Sequence, residues 1–176
     1  AGLGVYAREL DFTLAEVLQE KCSVHEAMVA SKYENLSLLP SHVGLAALEA
    51  ETLPINRLKN ALQPVLNNFD FVVVDCPPSL GRLTLNVLAM VHRVLVPIKV
   101  GQFSLTGLQQ LFLTVQNLQQ RGVNPSLKIL GLFYNEAQPH TKLFKIVDNA
   151  LGEVYGHLLM ESSIPMNVHL GEAQVV

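Results

Sequence analysis

Apolar residues follow two alternating patterns along this chain. Short continuous apolar runs lie at 71–74, 94–98 and 129–134, and the segments between them place apolar residues three or four positions apart. Short continuous runs are typical of strands buried on both faces of a parallel sheet, whereas the wider spacing is typical of helices with one buried face. The alternation predicts βαβ units, which means an α/β fold with a mostly parallel sheet and helices on both faces.

The run at 71–74 leads directly into an aspartate, a cysteine, two prolines and a serine. Because prolines cannot donate ladder hydrogen bonds, the strand is expected to end near Cys76. Asp75 would then lie at the carboxyl end of a central strand, the edge where open α/β sheets bind ligands. A carboxylate there can hold Mg²⁺. An ordinary turn aspartate after a buried strand is the alternative.

Capping residues predict where several helices begin and end. Thr13 with Glu16, and Ser23 with Glu26, match the capping-box pattern and predict short helices at about 13–20 and 23–30. Gly122 stands at the expected C′ position of the most regular helix. Further helices are predicted after Ser41, Pro54, Pro78, Ser104 and Pro139 and around 168–173, and short strands at 35–39 and 157–160.

Composition indicates a globular protein with a full-sized core. The chain has 176 residues, of which 49% are hydrophobic and 15% charged, so one domain over 1–176 is expected. Its two cysteines are too few for a disulfide framework, which favours a reducing cytoplasm. A net charge of -3 does not indicate nucleic-acid binding unless a local basic surface is present.

The stretch that begins at Asp75 resembles the Walker B and switch region of ParA-type (Soj-like) partition ATPases, which belong to the deviant Walker A group together with MinD. Shorter matches extend this resemblance over nearly the whole chain. The matching segments are 2–5, 38–41, 75–81, 83–86, 105–111, 164–165 and 172–173. Departures from the family pattern occur at Met166, Gln174 and 102–103.

The resemblance implies a P-loop NTPase-like domain that requires ATP and Mg²⁺. It also implies that the first strand and the phosphate loop lie upstream of Ala1, so the domain is interpreted as truncated at both ends. ATP hydrolysis is therefore expected of the intact protein, and residues 1–176 alone are expected to be inactive.

Roles for particular residues also follow from the resemblance. Asp75 would be the catalytic acidic residue and would hold the Mg²⁺ shell. The following residues would form the switch loop that senses the γ-phosphate: Cys76, Pro77, Pro78 and Ser79.

Nucleotide-base contacts are implied at the end of a later strand. Asn135 could hydrogen-bond to the purine edge, and Ile164 and Pro165 could pack against the base. A turn asparagine and a turn proline are the alternative for these positions.

Sequence-independent contact with DNA phosphates is predicted for four basic residues. Lys142 and Lys145 are three apart and share a helix face, and Arg121 and Lys128 complete the set. Simple solvation of these side chains is the alternative.

The predicted function is therefore ATP-dependent partitioning of chromosomes or plasmids. The protein would act as an ATP-bound homodimer on nonspecific DNA, with a ParB-type partner, in the cytoplasm at the nucleoid and without membrane contact. The alternatives are a MinD-like membrane-positioning ATPase and a non-catalytic interaction module without a P-loop.

Overall fold

A computed structural model describes residues 3, 5, 10–49, 53–102 and 105–167, without the side chain of Gln102. The chain divides into two units, Ala1–Met90 and Val91–Val176, and each is described by itself. Organisation as one domain stays a prediction. None of the described helices has the length and apolar composition needed to cross a bilayer.

The first unit consists of short helices and one small hairpin. In chain order its elements are α1 (Leu14–Leu18), α2 (Val24–Ala27), β1 (Val29–Ala30), β2 (Ser37–Leu38), a 3₁₀ helix (Val43–Glu49), α3 (Arg57–Leu62), a 3₁₀ turn (Leu66–Asn68) and α4 (Arg82–Met90). Strands β1 and β2 pair antiparallel, with Val29 opposite Leu38. The core includes Val17, Leu18, Val24, Leu48, Leu58, Leu62, Val65 and Leu83.

Both predicted capping boxes are confirmed. At α1, the Glu16 carboxylate accepts the Thr13 N–H at 2.8 Å while the Thr13 hydroxyl accepts the Ala15 N–H. At α2, the Ser23 hydroxyl accepts the Glu26 N–H. Both helices end earlier than predicted, and α2 stops because the following residues pair as β1.

Helix α3 is capped by a side chain from α4. Asn56 occupies the N-cap position, yet its side chain makes no capping hydrogen bond. Instead, the Asn86 Oδ1 accepts the N–H of Leu58 at 3.1 Å, and the Asn86 Nδ2 donates to the carbonyl of Arg82 at 3.2 Å. Asn86 is buried, so these bonds tie the start of α3 to the first turns of α4.

The strand predicted at 71–76 is not formed in the described structure. Residues 71–77 carry no strand assignment, and Phe71 and Val73 are 87% and 93% exposed. A strand exists only where its N–H and C=O groups pair with a neighbour. These residues pair with neither β1 nor β2, the strands of their own unit, and the predicted strand is therefore not formed.

The second unit contains the parallel pairing that the apolar pattern predicts. Its elements are β3 (Arg93–Ile98), a 3₁₀ turn (Val100–Gln102), α5 (Leu105–Gln120), β4 (Lys128–Tyr134), α6 (Lys142–Tyr155) and a 3₁₀ turn (Gly156–Leu158). Strands β3 and β4 are parallel, with a register shift between Val94 and Leu95. Their core comprises Ile98, Leu108, Leu132, Tyr134, Ala137 and Leu151.

Local signals in this unit have mixed outcomes. Gly122 follows α5 with φ of 71°, as the C′ prediction requires. The strand predicted at 157–160 is a 3₁₀ turn followed by a single bridge between Leu132 and Leu159. The predicted cap Ser104 and the predicted helix around 168–173 lie outside the described residues.

Candidate functional site

The predicted switch loop is an exposed connection that leads into α4. Asp75, Cys76, Pro77, Pro78 and Ser79 are all exposed, and their backbone is irregular. Asp75 therefore follows a segment without strand assignment, which differs from its expected place at the end of a central strand.

The surroundings of the loop cysteine favour its protonated thiol. Its Sγ lies 3.9 Å from the carbonyl oxygen of Val74. Desolvation by surrounding protein atoms raises the pKa of Cys76, and the negative charge of Asp75 raises it further. Because the thiolate is the reactive form, this pKa shift favours the unreactive thiol.

Two side chains, Thr84 and Glu49, form hydrogen bonds at the downstream end of the loop. The Thr84 hydroxyl donates to the carbonyl of Ser79 at 2.7 Å. The Glu49 carboxylate accepts the N–H of Arg82 at 2.7 Å and the N–H of Leu83 at 3.4 Å. Sequence reasoning missed Glu49, because nothing in its neighbourhood signals a partner 33 residues away.

The predicted base-contact residues come together in the second unit. Asn135 directly follows β4, and its N–H donates to the carbonyl of Ile98 at the end of β3. Ile164 donates its N–H to the carbonyl of Tyr134 at 2.8 Å and accepts the N–H of Ala137 at 2.9 Å. The segment 164–165 therefore lies against the residues on both sides of Asn135, at the carboxyl edge of the two parallel strands.

An ion pair borders the same edge. Lys99 follows β3, and its Nζ lies 2.7 Å from the Glu136 carboxylate. Glu136 adopts φ of 53°, a left-handed backbone conformation that costs energy for a residue with a side chain. The pair is about two-fifths exposed at both ends, so solvent screens its contribution to stability.

A buried tyrosine fixes α6 against β4 beneath this edge. The Tyr134 hydroxyl donates to the Asp148 carboxylate at 2.8 Å, and its ring packs on Phe144 with centroids 4.6 Å apart. Burial raises the pKa of Tyr134, and the hydrogen bond to Asp148 raises it further. Tyr134 therefore remains a protonated donor well above neutral pH, which keeps α6 in place.

The predicted DNA-contact residues are exposed but fall into two groups. Arg121 and Lys128 stand where α5 ends and β4 begins, whereas Lys142 and Lys145 lie in the first turns of α6, after β4 has ended. The four residues therefore do not cluster at one end of β4.

The chemistry of Asp75 fits Mg²⁺ better than a metal with an all-protein ligand set. No group of three or more His, Cys, Asp or Glu side chains in the described part of the chain is placed to hold a metal ion. Magnesium is commonly bound by one or two carboxylates together with phosphates and waters. A single exposed carboxylate beside a loop satisfies that requirement.

Comparison with known proteins identifies the family. A model of the AAA domain, AAA_31, matches residues 1–129. The chromosome-partitioning ATPase Soj of Treponema pallidum is 34% identical over 98% of this chain and 68% of the relative. The chain belongs to the ParA/Soj family of AAA-domain proteins. The resemblance seen in the sequence is thereby confirmed.

Other relatives agree on the fold and show how much of a longer protein this chain represents. An uncharacterized protein of Pseudomonas putida is 36% identical over 98% of this chain, which spans 66% of that relative's length. The crystal structure of cobyrinic acid a,c-diamide synthase from Mycobacterium smegmatis with bound ADP and magnesium is 32% identical, with a TM-score of 0.82 over 94% of this chain and 68% of its own. The α/β fold class predicted for this ParA/Soj-family chain is confirmed.

Proposed function

We propose that the protein containing this chain is an ATP-dependent partition ATPase that uses Mg²⁺. Family membership supports ATPase chemistry, and the solved Mycobacterium smegmatis relative was crystallised with ADP and magnesium. The observation that carries the proposal is that segment 164–165 bonds to Tyr134 and Ala137, on either side of Asn135, at the carboxyl edge of β3 and β4. Open α/β sheets bind ligands at that edge.

Each part of the chain contributes a separate role. Asp75 holds the cation through its exposed carboxylate, directly or through water. Mg²⁺ held by Asp75 would supply the positive charge that stabilises the phosphates during phosphoryl transfer. The loop 76–79 follows this carboxylate and transmits its position to α4. Asn135 presents its side-chain amide to the base, while Ile164 and Pro165 supply apolar contact.

DNA binding and assembly complete the proposed function. Lys142 and Lys145 form one pair, on a single face of α6, and Arg121 and Lys128 form a second pair. All four contact DNA phosphates without reading the base sequence. The ATP-bound protein forms a homodimer at the nucleoid in the cytoplasm, and a ParB-type partner stimulates hydrolysis.

The Mg²⁺ role is tested in the full-length protein with Asp75→Ala. Loss of the carboxylate is expected to lower Mg²⁺-dependent ATP turnover by about a hundredfold, as the loss of one electrostatic group commonly does. Asp70→Ala is the matched control, since Asp70 is also exposed and precedes the apolar run. ATP turnover by Asp75→Ala at the parental rate would refute the role. A parent that neither binds nor hydrolyses ATP would favour the non-catalytic module.

The DNA-contact prediction is tested by the salt dependence of binding. Each lysine that neutralises a phosphate contributes about 0.9 to the slope of log K against log salt concentration. Lys142→Ala with Lys145→Ala should therefore reduce the slope by about 1.8. Lys59→Ala, which removes an exposed lysine of α3, serves as the control. An unchanged slope in the double variant would exclude this pair from the interface.

A further inference from the structure

Helix α4 begins without a capping side chain of its own. The carbonyl of Gly81 accepts the N–H of Leu85 at 3.0 Å, which places Gly81 at the N-cap position. Glycine has no side chain to accept the free N–H groups of the first turn, which therefore need another acceptor. The Glu49 carboxylate supplies it, accepting from Arg82 and Leu83.

Glycine at position 81 leaves the space that the carboxylate occupies. A Cβ atom at Gly81 would overlap Glu49 Oε2 and would lie 2.7 Å from its Cδ and 2.8 Å from its Oε1. Gly81 is not among the described glycines with positive φ, so its backbone does not itself require glycine. The requirement is spatial, because any larger residue must displace the Glu49 carboxylate.

Glu49 is itself held in place by the core of the first unit. It ends the 3₁₀ helix Val43–Glu49, and the preceding residue, Leu48, is fully buried in that core. A carboxylate at a helix N-terminus also interacts favourably with the helix dipole. The start of α4 is thus attached to a packed segment far away in the sequence.

We propose that Glu49 is a positioning residue for the loop 75–81. Its carboxylate fixes the start of α4 and so sets the downstream end of the loop that carries Asp75. The hydrogen bond between Thr84 and Ser79 extends this fixed point into the loop. The proposal rests on the proposed function in one respect: Asp75 is taken to hold Mg²⁺.

The contact between Glu49 and Gly81 permits a double-mutant test. Glu49→Ala removes the carboxylate, and Gly81→Ala displaces it through the added Cβ. Each single substitution should therefore have a similar effect. In the Glu49→Ala background, Gly81→Ala has nothing left to displace and should add only the preference of an N-cap for glycine over alanine, about threefold. The double variant should therefore change by less than the product of the two single effects. Glu49→Gln keeps the length and one acceptor oxygen and should lie between the parent and Glu49→Ala.

Amide hydrogen exchange of the full-length protein without nucleotide provides the first measurement. In Glu49→Ala and in Gly81→Ala, exchange should accelerate roughly three- to thirtyfold at residues 79–83, the range expected when a helix cap is lost. Exchange in α1 serves as the internal control and should not change. Additive acceleration in the double variant, or no acceleration in either single variant, would overturn the proposal.

The second measurement separates positioning from mere structural support. The Mg²⁺ concentration that half-saturates ATP turnover should rise by about threefold or more in Glu49→Ala. This factor corresponds to the lower end of the free-energy cost of losing a helix cap. The ATP turnover rate at saturating Mg²⁺ should fall by a smaller factor than the half-saturating Mg²⁺ concentration rises. Faster exchange combined with an unchanged Mg²⁺ dependence would also overturn positioning.

Failure of the two proposals can be told apart. A parental protein that shows no Mg²⁺-dependent turnover contradicts the proposed function, yet the exchange measurement still tests whether Glu49 anchors the loop. A parent with normal turnover and a Glu49→Ala variant with parental exchange contradicts only the role of Glu49.

Discussion

Asn86→Ala should destabilise the first unit by removing the cap of a neighbouring helix. The Asn86 side chain is buried and bonds to both Leu58 and Arg82. Without its Oδ1, the N–H of Leu58 loses its acceptor at a residue that is itself 4% exposed, so water cannot readily replace it. The Arg82 carbonyl loses a donor at the same time.

The magnitude follows from these two losses. An orphaned buried donor costs about 1–3 kcal/mol, and the loss of a helix cap costs about 0.5–2 kcal/mol. Both costs include the lost bond between Asn86 and Leu58, so they do not add in full. We expect the free energy of unfolding to fall by about 2–3 kcal/mol. For a protein of this size, each kcal/mol lowers Tm by about 2–4 °C, which gives a decrease of about 4–12 °C.

The assay is urea unfolding followed by far-UV circular dichroism, with thermal unfolding as a second measurement. Asn56→Ala is the matched control, because Asn56 occupies the N-cap of α3 but makes no capping bond with its side chain. Its substitution should change the free energy of unfolding by less than about 0.5 kcal/mol. The midpoint for Asn86→Ala should shift without a change in slope, which would indicate that the unfolded state is unaffected.

Two results would refute the reasoning. If Asn86→Ala had the stability of the parent, the distant cap would contribute nothing. If Asn56→Ala cost as much as Asn86→Ala, the helix would be capped by its own N-cap residue.

Two further predictions concern acid stability and glycine conformation. The hydrogen bond from Thr13 lowers the pKa of Glu16 from its ordinary value of 4.5 to about 2, so its stabilisation is complete above about pH 4.5 and is lost as pH falls towards 2. Glu16→Gln should therefore reduce the loss of stability between pH 5 and 3 in urea unfolding, and an unchanged pH profile would contradict this linkage. Gly122→Ala should cost about 1–2 kcal/mol because φ there is 71°, whereas Gly152→Ala, inside α6 with open space around it, should stabilise by about 0.5–1 kcal/mol. Equal effects of the two glycine substitutions on the urea midpoint would refute the conformational explanation.

Part of the candidate site could be predicted from local pattern and family resemblance. The motif that begins at Asp75 is visible in the order of residues, whereas the roles of Asn135 and Ile164 rest on the family resemblance and stay predictions. The sequence does not predict that Glu49 and Asn86 bond to the starts of helices, because their partners lie 33 and 28 residues away. A side chain that caps a distant helix leaves no spacing pattern in the sequence, since the contact depends on how the elements pack.

The sequence by itself determined the features that arise within a few residues. The capping boxes of α1 and α2 and the positive φ of the glycine after α5 depend on neighbouring residues in the chain. The helical spacing of apolar residues is likewise visible in the sequence. Tertiary structure alone decided which apolar runs became strands. Residues 93–98 pair with 128–134, whereas 71–74 carry no strand assignment. An apolar run supplies only a preference for extended backbone, and a strand forms only where a neighbour accepts its hydrogen bonds.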